Sequence, residues 1–243
     1  MEVKRDKDEL KPVLQAVLGN SEMKMRGQVL SITLATILVS GVCLGFEDEG
    51  FQWWSTVGGS FDIAKDWSGT FEQEIRMGDD GGNFYYEHTD VGFVYSGIGK
   101  WIDLGANFRY VSEKDNENNW MQESRPHLNA TFKGYIFGLS VSDRNRVEFR
   151  DREEADDVWR YRNKLTVKFP FELTALKLKP YVADEIFITL NDDNVDRNRL
   201  YSGVVFGLTE WLDADIFFMW QASRSGEEWK DIKALGTALK FRF

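Results

Sequence analysis

The side chains best equipped for chemistry in this chain are basic, and they recur in a pattern. Arg144-Asn145-Arg146, Arg162-Asn163-Lys164 and Arg197-Asn198-Arg199 repeat one triplet. Extended chain alternates its side chains between two faces, so each triplet sends both basic groups to the same side. Glu148 and Arg150 extend the face of the first triplet, and Arg160 precedes that of the second. Arg76, Arg109, Arg125, Lys240 and Arg242 take the same parity in their own segments, as do Glu72, Glu74, Asp90, Asp103, Glu123, Glu185, Asp213 and Asp215. Facing rows of arginine and carboxylate form charge-assisted, often bidentate bonds. Such a network fills and rigidifies the space it lines, because buried charges are tolerated only when paired. Alternatively, rings of basic side chains make a constricted, anion-preferring passage or a small-ligand site. The expected network comprises Arg109, Arg125, Arg144, Arg146, Glu148, Arg150, Arg160, Arg162, Lys164, Glu185, Arg197 and Arg199. Arg146 and Arg162 are expected on adjacent strands near Glu148 or Glu185, since the loop 151–157 joins their strands. Arg146→Leu would then strand a carboxylate and cost about 3 to 5 kcal/mol.

Nucleophilic catalysis has less to work with. The chain has two histidines, His88 and His127, which share the charged parity near Asp90 and Asn129. A serine hydrolase needs nucleophile, base and orienting group within hydrogen-bond reach. Barrel phospholipases place a His-x-Ser pair on one strand, whereas here His88 is followed by Thr89-Asp90 and His127 by Leu128-Asn129. A lipid-active enzyme of phospholipase type is the alternative reading, and the missing pair counts against it. The acidic runs lack the spacing of a calcium loop. No catalytic, cofactor-binding or metal-ligating residue is assigned, and no cofactor is expected.

The elements that must position these charges are strands. From Phe51 onward, segments of about 10 to 16 residues alternate with turn-rich breaks, without comparable helical periodicity. One set of breaks is long and acidic: 78–83, 113–119, 151–157, 191–196 and 225–228. The other is tight: Lys65-Asp66, Gly97 to Lys100, Lys133-Gly134 and Thr209-Glu210, with a longer break around Phe171 to Lys179. The two sets alternate, as do the short periplasmic turns and longer external loops of outer-membrane barrels. Trp67, Trp101 and Trp211 adjoin tight turns, and Trp120, Trp159 and Trp229 flank acidic loops, as two interfacial girdles require.

Parity also marks an outward face. It runs through Ile102 to Tyr110, Leu128 to Phe132, Tyr135, Phe137, Leu139 and Val141, Leu165 to Phe169, Leu200 to Leu208 and Leu212 to Trp220. The fold expected is all-β: a single transmembrane antiparallel barrel. The breaks delimit eleven strands, but bacterial single-chain barrels have even numbers, so twelve strands are expected, with ten as the fallback. A barrel of this size is too narrow for a wide aqueous channel.

The ends agree with this fold. Ala234 to Phe243 alternates apolar Leu235, Leu239, Phe241 and Phe243 with Gly236, Ala238, Lys240 and Arg242. It reads as the closing strand of an outer-membrane barrel, with Leu239, Phe241 and Phe243 as the assembly signal. Near the front, Val29 to Leu44 is an apolar run preceded by Lys24 and Arg26 and followed by Glu47-Asp48-Glu49. That is the layout of a secretory signal peptide, too short for a spanning helix. We therefore expect an upstream extension at 1–22, with Met23 or Met25 as the start, a signal-peptide helix at 23–45 cleaved after Gly45, and the barrel at 46–243. Cys43 is the single cysteine, so no internal disulfide forms, and the residues before it fit a lipoprotein box only loosely. A net charge of −10 argues against nucleic acid, which demands clustered basic surface.

Asn145 to Arg150 (NRVEFR), Arg160 to Leu165 (RYRNKL), Lys179 to Phe187 (KPYVADEIF) and Arg197 to Gly203 (RNRLYSG), with Trp53-Trp54, resemble the uncharacterised bacterial outer-membrane proteins grouped as domain of unknown function 2490. The resemblance runs from about Gln52 to Phe243. It implies one barrel in the outer membrane of a Gram-negative cell and brings no reaction or catalytic residue with it. Gly236 stands two residues early and Ala238 in the glycine position of the usual assembly signal. The expected function is a barrel with a narrow, charged lumen, either structural or a porin-like passage for small solutes or anions. Its expected partners are outer-membrane lipid, lipopolysaccharide and the barrel-assembly machinery.

Overall fold

The computed structural model describes residues 51–243 apart from 79, 80, 154, 192, 193 and 227. The expected signal peptide and upstream extension lie outside the described residues. Period-two alternation bounded by turn residues produces β1 (Phe51–Ala64), β2 (Trp67–Gly78), β3 (Asn83–Gly99), β4 (Ile102–Lys114), β5 (Trp120–Ile136) and β6 (Leu139–Arg152). β7 (Val158–Lys168), β8 (Lys179–Thr189), β9 (Asn194–Gly207), β10 (Leu212–Ser225) and β11 (Glu228–Arg242) follow. Each pairs antiparallel with the next, and β11 closes onto β1, so the sheet is a barrel without edges.

The barrel has eleven strands, which corrects both the expected twelve and the fallback of ten. The stretch Gln52 to Ile63 is one uninterrupted strand, and no strand element lies between β7 and β8. Hairpins reverse direction at every turn, so an odd count leaves the first and last strands running the same way. Closure is therefore parallel, with Phe51 opposite Lys233 and Ser60 opposite Arg242. Parallel ladders are slightly weaker per residue than antiparallel ones, yet this one spans ten paired positions. It also places the start of β1 at the acidic-loop end and the finish of β11 at the tight-turn end.

One hairpin turns later than expected. β5 continues through Lys133-Gly134 to Ile136, and the reversal falls on Phe137-Gly138, with φ of 51° and 81°. A two-residue turn of type I′ needs positive φ at both central positions, and glycine supplies the second without strain. The expected outward run through Tyr135 and Val141 is thus split by a turn, with the Phe137 side chain fully exposed at its tip.

The wall is apolar outside and charged within. Val91, Phe93, Phe108, Leu128 and Leu200 are between 46% and 66% exposed, whereas Glu148, Glu185 and His88 are at most 1% exposed. All six girdle tryptophans named above are exposed; Trp101 and Trp211 stack on Phe132 and Phe241, and Trp67 packs at a tilt against Tyr95. The outer face is not uniformly apolar. With the basic members of the triplets inside, their asparagines face out. Asn163 and Asn145 donate to the outward Asp143 at 2.6 and 3.0 Å, and Asn198 donates to Asp184 at 2.7 Å.

The barrel belongs to a compact unit formed by Asp48–Glu172 and Leu178–Phe243. In a second unit, Leu173–Lys177 makes a turn in which the Lys177 N–H donates to the Thr174 carbonyl at 3.1 Å, with positive φ at both residues.

Candidate functional site: the charged lumen

The strand register brings the inward charges into rows. Arg146 stands opposite Arg162 across β6 and β7, Lys164 opposite Glu185, and Glu185 opposite Arg199. Glu148 sits on β6 facing Arg160 on β7, which donates to it, while Arg162 reaches the same carboxylate with Nη1 at 3.3 Å. Arg162 Nη2 simultaneously donates to Glu185 Oε1 at 2.8 Å, so one guanidinium bridges two fully buried carboxylates. Glu185 also accepts from Arg144 at 2.7 Å and from the Tyr201 hydroxyl at 3.0 Å. Phe187, itself 1% exposed, has the guanidinium carbons of Arg160, Arg162, Arg197 and Arg199 within 4.5 to 5.5 Å of its ring centroid. Its quadrupole offsets part of the mutual repulsion of those cations.

A second cluster lies on β2 to β5. Arg109 donates from Nε to Asp90 at 2.8 Å and from Nη2 to Glu72 at 3.0 Å. His88 meets Glu72 through Nε2 at 3.0 Å and the Tyr86 hydroxyl through Nδ1 at 3.1 Å, so both ring nitrogens are engaged. His127 places Nδ1 at 3.2 Å from the Arg125 carbonyl and Nε2 at 3.5 Å from Asp90. Arg76 pairs with Glu74 and lies over the rings of Trp54 and Tyr86 at 3.7 and 3.9 Å. Nearer the acidic loops, Arg150 holds Glu123 in a bidentate fork with both bonds at 2.7 Å, and Arg125 adds a third bond of 2.7 Å.

The tight-turn end is roomier and more basic. Three cavities of about 380, 270 and 150 Å³ all share Arg144 and Lys240 on their walls. Asp215 pairs with Lys240 at 3.0 Å and Asp213 with Arg242 at 2.7 Å, both cations remaining more than half exposed. A further cavity of about 370 Å³ at the loop end, against Glu113, Glu123 and Arg150, has no lining residue in common with these three. Glu148, Glu185, His88, Phe187, Met219 and Trp54 are each at most 2% exposed and form a packed belt, and Glu185 and Trp54 also line the smallest of the three cavities.

All twelve residues expected in the lumen network point inward, but their partners differ from the expectation in one respect. Arg162 is the hub between Glu148 and Glu185, whereas Arg146 makes no ion pair among the described residues. Arg146 Nε donates to Asn129 Oδ1 at 2.7 Å, and its Nη1 has no hydrogen-bond partner. A guanidinium reaches past its nearest neighbours, so strand adjacency alone does not assign its partner. Lys164 lies over the Tyr201 ring at 3.7 Å instead of in a salt bridge. Trp54, Tyr181, Phe187 and Tyr201 were not expected in the lumen, although Tyr181 and Phe187 share parity with Glu185 and Tyr201 with Arg199, a signal that could have placed them inside. At the closing end, Phe243 stacks on Phe241, donates its N–H to the Ser60 carbonyl at 3.0 Å and accepts from the Asp62 N–H at 3.3 Å. The ring of Phe217 covers Gly236 where a Cβ would stand, which accounts for a glycine at that position.

A closed eleven-stranded barrel with an apolar exterior and a lumen packed by arginine, carboxylate and aromatic side chains is the class of protein that fold and site define. The chain belongs to the family described as protein of unknown function DUF2490, whose sequence profile matches residues 51–231. No curated protein matches the chain.

Proposed function

We propose that this protein is an outer-membrane barrel whose lumen is sealed at mid-height by the arginine–carboxylate belt, a structural wall protein rather than an open passage. The observation that carries the reading is the belt itself: charged side chains at most 1% exposed, interlocked with Phe187 and Met219 and leaving distinct cavities at the two ends. The exposed apolar wall with a ring of tryptophans at each end supports insertion in a bilayer. In this reading the chain is exported with cleavage after Gly45, and the acidic loops face outward from the cell. Lipopolysaccharide and outer-membrane lipid surround the wall after delivery by the assembly machinery.

Planar bilayers test the seal. The reconstituted protein should leave the membrane non-conducting, and a steady single-channel current with anion preference would replace the sealed barrel with a small-anion passage. Location is tested separately by labelling Ala155→Cys and Asp66→Cys with an impermeant maleimide on intact cells. The first should react and the second should not.

A further inference from the structure

Every carboxylate of the belt is bonded to a cation, but Arg146 is left with neither a carboxylate nor an aromatic ring among the described residues. Arg146 is 6% exposed, makes no ion pair among the described residues, lies over no aromatic ring among them and has an unpartnered Nη1. A buried guanidinium without a counter-charge is costly, because desolvation is not offset by a neighbouring anion. Arg197, a half-buried arginine that also lacks a carboxylate, at least lies against Phe187. Arg146 instead lines two cavities, of about 380 Å³ toward the tight turns and about 150 Å³ reaching the belt at Glu185 and Trp54, and Arg144 and Lys240 line both of them with it. Arg144 contributes a second unpartnered nitrogen there, its Nε. Glu72, Asp90 and Asp213 on the wall of the larger cavity are each already bonded to an arginine.

We propose that this vestibule is a binding site for a small phosphate-bearing anion, centred on Arg146 and completed by Arg144, Lys164 and Lys240. Arg144 and Arg146 on β6 and Lys240 on β11 line both cavities, Lys164 on β7 lines the smaller, and the hydroxyl-bearing Ser60 and Thr70 line the larger. Converging donors of this kind suit an anion with several acceptor oxygens, and guanidinium forks match phosphate geometry. A cavity of about 380 Å³ also exceeds what a halide would fill. The site opens toward the tight turns, where Lys240 is half exposed, so the ligand enters from the face that the sealed-lumen reading assigns to the periplasm. The proposal rests on that reading, since an unsealed lumen would pass the anion on instead of holding it.

The test uses the full-length folded protein in phosphate-free micelles at constant ionic strength, following the heat-modifiable gel shift as inorganic phosphate or glycerol 3-phosphate replaces chloride. The midpoint of unfolding should rise saturably with either phosphate. Arg146→Gln should weaken the apparent affinity at least tenfold, Arg146→Lys should retain part of it, and Arg152→Gln at the loop end should leave it unchanged. Should Arg146→Gln fail to fold, Arg144→Gln makes the same comparison. Absence of a saturable rise, or a rise undiminished in both glutamine variants, overturns the site. A rise seen only in micelles doped with phosphatidic acid, without free phosphate, overturns the free anion in favour of a lipid headgroup. Current through the wild-type barrel would overturn the seal independently of these shifts.

Discussion

Glu185→Leu isolates the energetics of the belt. The wild-type carboxylate, 1% exposed, accepts bonds of 2.7 Å from Arg144, 2.8 Å from Arg162 and 3.0 Å from Tyr201, with Arg199 at 4.0 Å. All three lost bonds are charge-assisted, each worth about 1.5 to 3 kcal/mol. Burying a leucine side chain returns about 1.5 to 3 kcal/mol, and Arg162 keeps Glu148. The residue of these terms is the desolvation of cations that no longer have their carboxylate, which places the net loss at about 3 to 5 kcal/mol. Against a typical total of about 5 to 15 kcal/mol, that is a large fraction. Urea titration in micelles, read by the gel shift, should show a lower midpoint with unchanged slope, the mark of altered stability rather than altered compactness. Adding Arg162→Leu should recover about 1 to 3 kcal/mol, because contacting residues couple by that order. A single-variant loss below about 1 kcal/mol, or a double variant as unstable as the two losses added, would refute the belt as a mutually compensating network.

Deleting Phe243 removes two main-chain bonds that tie the end of the closing strand to β1, at Ser60 and Asp62, together worth about 1 to 3 kcal/mol. The folded fraction recovered from membranes should fall, and an unchanged yield and gel shift would show that the barrel closes without it. Asp143→Leu withdraws the acceptor shared by Asn145 and Asn163 on the apolar face and should destabilise by about 1 to 3 kcal/mol. Asp143→Leu combined with Asn145→Leu and Asn163→Leu should regain most of that loss, and a triple variant weaker than the single one would sink the account. In the acidic loop after β4, N–H bonds from Asn119, and then from Glu117, hold the Asp115 carboxyl below the usual value of 3.8. A depressed carboxylate contributes order above the ordinary value and loses it as pH falls through the lowered one. The amide resonances of Glu117 and Asn119 should therefore titrate with a midpoint below 3.8, whereas a transition centred at 3.8 or above would contradict the bonding.

Strand alternation is a local property of the backbone, and it was legible residue by residue. It placed all twelve network residues inside, put Trp120, Trp159 and Trp229 at one end and Trp67, Trp101 and Trp211 at the other, and delimited eleven strands. Two features escaped because their signals lie outside local pattern. The breaks alone give eleven while the even-number rule points to twelve, and nothing in a single strand reveals that the first and last meet in parallel. The reversal at Phe137-Gly138 was hidden by Lys133-Gly134, which resembles a turn just as well until cross-strand pairing sets the hairpin's length. Which side chains share the lumen follows from the order of residues along each strand, because period two leaves them no other face. Only the tertiary structure decided that Arg162 would bridge Glu148 and Glu185 while Arg146 turned toward an open cavity, because long flexible side chains choose partners across strands and around a closed ring, and that choice depends on distances no linear spacing encodes.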